Sequence, residues 1–392
     1  MRVLYVADGR SPITLPWLEY FASSGYEVHL VSTRPCNPRV PLASLHILPV
    51  IPGGGRSAGA GMGRSQSTLA LVTTARHWLG PLAVRRVAPE LARIVHEVRP
   101  DLVHALRIPF EGMLAAAARP PAPLLLSVWG NDFTLHGGAT PSMRAATRRA
   151  LSRAQALHAD CRRDLRLAAQ WGWPDDRPAM VLPGNGGVRL DAFRPKDASH
   201  PERRAPLPDG PGGSPLVVQP RGFRAYVRSD TFFRAIPLIQ ESDPRVEFAG
   251  VGMRGNPEVR RWIDRTGAAD RFHALPSLDP EGMAAVFRAA WVSVSPSSHD
   301  GTPNTLLEAM ACGCLPVAGD LESIREWIVD GRNGLLIDPG DPAGLARAVV
   351  RALSDDDFRR TAAEHNLHLV QTRAERGQGM QQAEAMYRQL AS

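Results

Sequence analysis

Ser295-Pro296-Ser297-Ser298-His299-Asp300-Gly301-Thr302-Pro303-Asn304-Thr305-Leu306-Leu307-Glu308-Ala309-Met310-Ala311-Cys312-Gly313 is the stretch on which the reading of this chain turns. A buried strand is expected to end at Ser295 and a helix to begin after Gly301, over 303–312. Thr302 is placed to act as N-cap and Pro303 as the first helical residue, the positions each type favours. The backbone N–H groups of Asn304 and Thr305 then have no intrahelical acceptor. A helix start of this kind offers free donors and about half a positive charge to an anion such as a diphosphate. Asp300 before the helix and Glu308 inside it add two carboxylates, which suit hydroxyl-rich ligands such as ribose and hexose.

Outward from this stretch the chain alternates short apolar runs with amphipathic helical patterns, the mark of βαβ units and a parallel sheet. In the second half, strands are expected at 215–220, 245–250, 271–274, 291–295, 315–318 and 334–337. Helices are expected between them at 229–240, 256–266, 280–289, 303–312 and 322–329. The first half keeps the same rhythm, with strands at 2–7, 26–32, 101–106, 123–129 and 155–160. Its helices are expected at 13–24, 69–98, 141–153 and 162–171, and its Gly- and Ser-rich stretch 52–67 as a mobile loop. The fold class is therefore α/β, with two Rossmann-like parallel-sheet domains. The expected division is an N-terminal domain over 1–194, a Pro-, Gly- and charge-rich linker over 195–213, a C-terminal domain over 214–377, and a helix over 378–392 crossing back to the first domain. Ligands of doubly wound sheets bind outside the carboxyl ends of the strands, so a cleft between the two domains is the expected site.

Composition narrows the function classes. With 392 residues, 44% of them hydrophobic, the chain has material for two cores and too little polarity for disorder. No run of about eighteen uncharged apolar residues occurs, which argues against a membrane-spanning helix. The apolar run at the N-terminus reads as a first strand, too short for a secretory signal. Cys36, Cys161, Cys312 and Cys314 form no CxxC pair, and a reduced cytoplasmic compartment fits them. No GxGxxG, Walker, zinc-spacing or GxSxG motif is present, so no metal or other cofactor is expected to be required. Charge is unevenly placed: residues 1–195 carry a net +10 and residues 196–392 a net −3.

The segment from Pro296 to Val317, PSSHDGTPNTLLEAMACGCLPV, resembles the C-terminal signature of the family 4 glycosyltransferases of the GT-B fold. The resemblance continues through Ile324-Arg325-Glu326, Asp330-Gly331-Arg332-Asn333-Gly334 and Asp341-Pro342, and through Pro183-Gly184-Asn185-Gly186-Gly187-Val188 with Phe193. It spans nearly the whole chain and is sharp in the second half. It implies a transferase that moves a hexose-type sugar, with retention, from a nucleoside-diphosphate sugar (UDP- or GDP-linked) to an acceptor glycan or lipid-linked sugar. By position, Glu308 matches the acid that holds the donor ribose and Asp300 the acid that contacts the transferred sugar. The family usually has Glu at the latter place. Gly301, Thr302, Asn304 and Thr305 match the backbone segment against sugar and diphosphate. Arg221 matches the arginine that neutralises the leaving diphosphate. The lysine that normally accompanies it is missing, and Arg228, or failing it Arg224, is the expected substitute. On the acceptor side the resemblance points to the first loop, Asp8, Gly9 and Arg10, and to Asp132 in Trp129-Gly130-Asn131-Asp132. His104 reads as a core histidine.

Two other readings stay open on sequence: a nucleotide-sugar isomerase or epimerase on the same architecture, and a sugar-nucleotide-binding protein without activity. Nucleic-acid binding has no supporting motif. The basic first half has its own implication. Arg144, Arg148, Arg149 and Arg153 recur along one expected helix, followed by Arg162, Arg163 and Arg166, with Trp78, Leu79, Arg56 and Arg64 as further candidates. Such a surface points to peripheral binding at the inner face of an anionic membrane and to an anionic or lipid-linked acceptor.

Overall fold

The computed structural model describes residues 1–50, 66–196, 205–207 and 214–392, the side chains of 66–73 and of residue 75 excepted. Arg56, Arg64 and most of the expected 195–213 linker lie outside the described residues.

The chain forms two compact units. Among the described residues the first holds Met1 to Gly187 together with Gly377–Ser392, and the second Val188–Arg376. The division falls at Gly187–Val188, before the expected 194. Its cause is packing: Val188 and Phe193 are buried in the second unit's core, and Val188 exchanges backbone hydrogen bonds with Ala374 and Arg376. Gly186 and Gly187, at φ 86° and 120°, make the turn that an L side chain would strain.

The first unit is a seven-stranded parallel sheet in the order β3-β2-β1-β4-β5-β6-β7. Its elements are β1 (Arg2–Ala7), α1 (Thr14–Ser23), β2 (Glu27–Ser32), β3 (Ser44–Ile47), α2 (Gln66–Val98), β4 (Leu102–Ala105), α3 (Met113–Ala118), β5 (Leu124–Val128), α4 (Pro141–Arg153), β6 (Ala156–Ala159), α5 (Arg162–Gln170) and β7 (Ala179–Val181). The inner strands are mostly apolar because helices cover both faces, and β1, β4, β5 and β6 are buried along almost their whole length.

The second unit has six parallel strands in the order β10-β9-β8-β11-β12-β13. It comprises β8 (Leu216–Gln219), α6 (Ser229–Ser242), β9 (Glu247–Gly250), α7 (Pro257–Thr266), β10 (Phe272–Ala274), α8 (Pro280–Ala289), β11 (Val292–Ser295), α9 (Asn304–Ala311), β12 (Leu315–Gly319), β13 (Leu335–Ile337), α10 (Pro342–Ser354) and α11 (Asp356–Arg373). Gly313, at φ 81°, ends α9, with the Cys314 amide returning to Ala309 O. The helix expected over 322–329 is only a 3-10 turn at Ile324–Glu326. There the Asn333 side chain accepts from Val329 N and donates to Trp327 O, replacing helical hydrogen bonds.

The last helix, α12 (Arg376–Ala391), packs on the first unit. Tyr387, Met380 and Ala383 join the core made by Tyr5, Trp17 and Phe21, with Tyr387 stacked on Phe21 at 4.4 Å between ring centroids. A buried polar line runs beneath it. The hydroxyls of Tyr5 and Tyr387 lie 3.0 Å apart, Tyr387 meets His104 Nδ1 at 2.5 Å, and His104 Nε2 meets Ser127 Oγ at 2.8 Å. From Ser127 it passes to His158 Nδ1, whose Nε2 lies 3.0 Å from Leu182 O. His104 is thus a satisfied core residue, and burial holds it well below the ordinary histidine range. No helix of the described residues is long and apolar enough to cross a membrane.

Candidate active site

In the second unit β8 and β11 are neighbours, with Val217 opposite Val292, and strand order reverses between them. That reversal is where a doubly wound sheet opens a ligand crevice at its carboxyl end. The loop leaving β8 carries Arg221 and the loop leaving β11 carries Asp300. The two side chains are ion-paired, Arg221 Nη1 on Asp300 Oδ2, with only 15% and 12% of their side-chain surfaces exposed. The same nitrogen donates to Ser297 Oγ at 3.1 Å. Gln219 sets the loop from below: its Oε1 accepts from Arg221 N and its Nε2 donates to Gly222 O, both at 3.1 Å. Burial draws the Arg221 guanidinium below its ordinary value.

Tyr226, which the sequence did not single out, ties this corner together. Its ring lies 5.8 Å from the Arg221 guanidinium, its hydroxyl accepts from Arg224 at 3.0 Å, and its carbonyl accepts from Ser298 N at 2.9 Å. Arg221, Arg224 and the Ser297–Asp300 loop are thereby held in one arrangement before any ligand arrives.

The start of α9 differs from expectation by one residue. Pro303, with φ −69° and ψ 122°, is the N-cap, and Asn304 is the first helical residue. Thr302 does not cap the helix, because its hydroxyl accepts from Trp327 Nε1 at 3.0 Å. The amides of Asn304 and Thr305 remain those of the first turn, so the donors expected of them keep their place. Asn304 Oδ1 is buried with no partner among the described residues. Gly301 and Thr302 are buried, and Thr305 and Glu308 partly so. Burial pushes the Glu308 carboxyl up to about 7. Among the described residues no side chain hydrogen-bonds this acid to stabilise its charge.

Arg228 is engaged elsewhere. It sits at φ 53°, and its guanidinium closes on Asp230 through two contacts of 3.0 Å. Of the expected cation pair, the structure brings Arg221 to Asp300 and leaves Arg228 in a local clasp.

In the first unit the expected acceptor residues also have partners within the unit. Arg10 grips both oxygens of Asp8 at 3.0 and 2.9 Å, and Gly9 N donates to Ser32 Oγ. Burial raises the Asp8 carboxyl, but its hydrogen bonds from Arg10 outweigh that and hold it below the ordinary range. Asp132 is buried, with Arg107 on one oxygen at 2.9 Å and the amides of Ile108 and Trp129 on the other. It therefore fastens the loops after β4 and β5 to each other. Sequence reading missed Glu111, whose Oε1 accepts from Thr33 while Oε2 is buried without a partner among the described residues. Asp160, Cys161 and Asp164 set ligand atoms within 4.8 Å of one another, the group among the described residues that could hold a metal. Arg163 already neutralises Asp164 there, at 2.6 Å.

Two family models match the chain: "Glycosyl transferase 4-like" over residues 2–160 and "Glycosyl transferases group 1" over residues 222–355. A D-inositol 3-phosphate glycosyltransferase from Thermomonospora curvata is 31% identical over 210 residues, 50% of this chain and 47% of that protein. The chain thus spans about half the length of the curated relatives it matches. Among solved structures, Anabaena Alr3699/HepE in complex with UDP and glucose superposes with a TM-score of 0.73 at 16% identity, covering 98% of each chain. Sucrose-phosphate synthase from Thermosynechococcus elongatus gives 0.72 at 16% identity, over 100% of this chain and 99% of that one. At that identity the likeness is one of fold, and the fold is GT-B. With matching family models over both sheets, the chain belongs to the group 1, family 4-like glycosyltransferases.

Proposed function

We propose that this protein transfers a hexose-type sugar from a nucleoside-diphosphate sugar to an acceptor glycan or lipid-linked sugar, with retention of anomeric configuration. The observation that carries the reading is the Arg221–Asp300 pair at the β8–β11 switch point, followed along the chain by the first turn of α9 and the Glu308 carboxyl. Arg221 and the amides of Asn304 and Thr305 take the diphosphate, where fixed donors and dipoles stabilise charge developing on the leaving group. Glu308 accepts from the ribose hydroxyls and Asp300 from the transferred sugar. The acceptor hydroxyl attacks the anomeric carbon of the sugar on the face that the diphosphate leaves, the carbon–phosphate oxygen bond breaks, and the departing phosphate takes the acceptor proton. The Anabaena structures with UDP and with UDP-glucose support a donor of this class, and UDP- and GDP-sugars are the candidates. The acceptor meets the loop of Asp8, Gly9 and Arg10. On this reading no divalent metal is needed, since Arg221 and the helix start supply the positive charge. The reaction belongs in the cytoplasm, beside a membrane that carries the acceptor.

The test is a panel of nucleotide sugars screened by thermal shift, followed by product analysis with the donor that binds. Turnover that survives a chelator and gives a retained linkage is expected. A donor that is isomerised without transfer, or bound and never turned over with any acceptor fraction, would overturn the reading.

A further inference from the structure

The solvent-facing stripe of α2 is apolar where a soluble helix would be polar. Leu79, Leu82 and Trp78 are 62%, 61% and 56% exposed, the most exposed large apolar side chains among the described residues. They stand at helical positions i, i+1 and i+4, and Arg85 and Arg86 continue the same stripe one turn on, both exposed. Across from them, α4 exposes Arg144, Arg148 and Arg149. An apolar cavity of about 140 Å³ joins the two helices, lined by Leu82, Val84, Met113, Ala117, Ala145 and Arg149. On the other side of Ala145 lies a second cavity of about 420 Å³, edged by Thr140, Arg144 and Arg148.

Along the two stretches that carry this face charge is of one sign. Residues 66–89 and 141–153 contain no Asp or Glu, whereas a solvated basic helix ordinarily interleaves both. The expected arginine cluster keeps part of its members at the surface. Arg153 is spent on Ala116 O and Arg163 is buried against Asp164, while Arg144, Arg148 and Arg149 face outward beside the apolar stripe.

We propose that the α2–α4 face of the first unit docks on an anionic phospholipid bilayer. Trp78, Leu79 and Leu82 enter the interface, the apolar cavity receives part of an acyl chain, and the arginines of both helices meet the headgroup phosphates. A bilayer is the occupant that fits, because it alone sets apolar chains directly beneath a sheet of negative charge, matching wedge, cavity and arginines in that order. The proposal does not depend on the transferase reading, since it is read out without turnover.

Co-sedimentation of the full chain with phosphatidylcholine vesicles, with and without phosphatidylglycerol, tests it. Binding is expected only with the anionic lipid and should fall steeply with salt. Arg144→Glu/Arg148→Glu should weaken it by more than about 25-fold, at roughly fivefold per lost cation near the surface. Leu79→Ser/Leu82→Ser should weaken it at least about tenfold and leave the salt dependence in place. These positions are exposed, so far-UV circular dichroism of each variant should match the parent. Equal recovery with neutral and anionic vesicles, recovery with neither, or parental binding by both variants would overturn the proposal. So would a dimer of the parent that Leu79→Ser/Leu82→Ser dissolves, which would give the face to a second copy of the chain.

Discussion

In the first unit the loop after β1 holds Asp8 and Arg10 clasped to each other, two residues apart. In the second, the loop after β8 holds Arg221 against Asp300, an acid delivered by a different strand. The local clasp could form in almost any loop and fixes little beyond its own turn. The long-range pair fixes two loops at once, and Tyr226 and Gln219 brace it from either side. Pre-organisation of the second kind lets charge stabilisation act without rearrangement during reaction. Arg228–Asp230 shows that the local clasp also occurs in the second unit, so the difference lies in which residues are bound across strands and not in the unit itself.

The largest expected effect follows from breaking the long-range pair. Arg221→Ala should cut turnover by about 10²–10³-fold, the scale seen when one pre-organised stabiliser is removed. Arg228→Ala should cost less than tenfold. Steady-state kinetics on the two folded variants would reverse the ranking of the two arginines if Arg228 proved the costlier loss.

Asp300→Asn comes next. It is expected to lower turnover about 10²-fold while calorimetry finds free nucleoside diphosphate bound nearly as by the parent. An equal loss for the bare nucleotide would move Asp300 from the sugar to the diphosphate.

The smallest effect concerns Glu308 and depends on pH. Its carboxyl titrates near about 7 when folded and near the ordinary 4.5 when unfolded. Between those values the folded chain keeps a proton that the unfolded chain releases, so stability falls as pH rises toward 7 and stays lowered above it. Glu308→Gln should therefore raise stability by about 1–3 kcal/mol above roughly pH 8 and change little near pH 4. Donor affinity should move the other way. In the parent it rises with pH through about 7 as the ionised acceptor forms, and in Glu308→Gln it is flat. Thermal melts and donor titrations across that range check both signs.

The alternation of strands and helices was legible because burial of parallel strands on both faces leaves a mostly apolar signature. β3 and β7 escaped it, being edge strands of four and three residues with exposed positions. At the candidate site, the placing of Asp300, Glu308 and Arg221 on a loop, a helix and a strand end was legible because one contiguous motif and one strand end carry them. Thr302 was misread as a cap since its partner, Trp327, comes from a segment whose fold depends on Asn333. Arg228 was read as available because a sequence does not show that Asp230 turns back on it. Tyr226 left no signal at all, as its role exists only once the β8 and β11 loops are side by side.

The seating of α12 has a consequence for biosynthesis. The sheet formed by Arg2–Val181 leaves the ribosome first, yet the ring of Tyr387 that covers Tyr5 and Phe21, and the hydroxyl that satisfies His104, are translated after the whole second unit. Until then the nascent first unit displays an apolar strip and an imidazole lacking one of its two partners, a state prone to self-association and open to chaperones. A fragment ending at Gly187 lacks that cover and is expected to stay in that condition, so the first unit completes its core only when the second has been made.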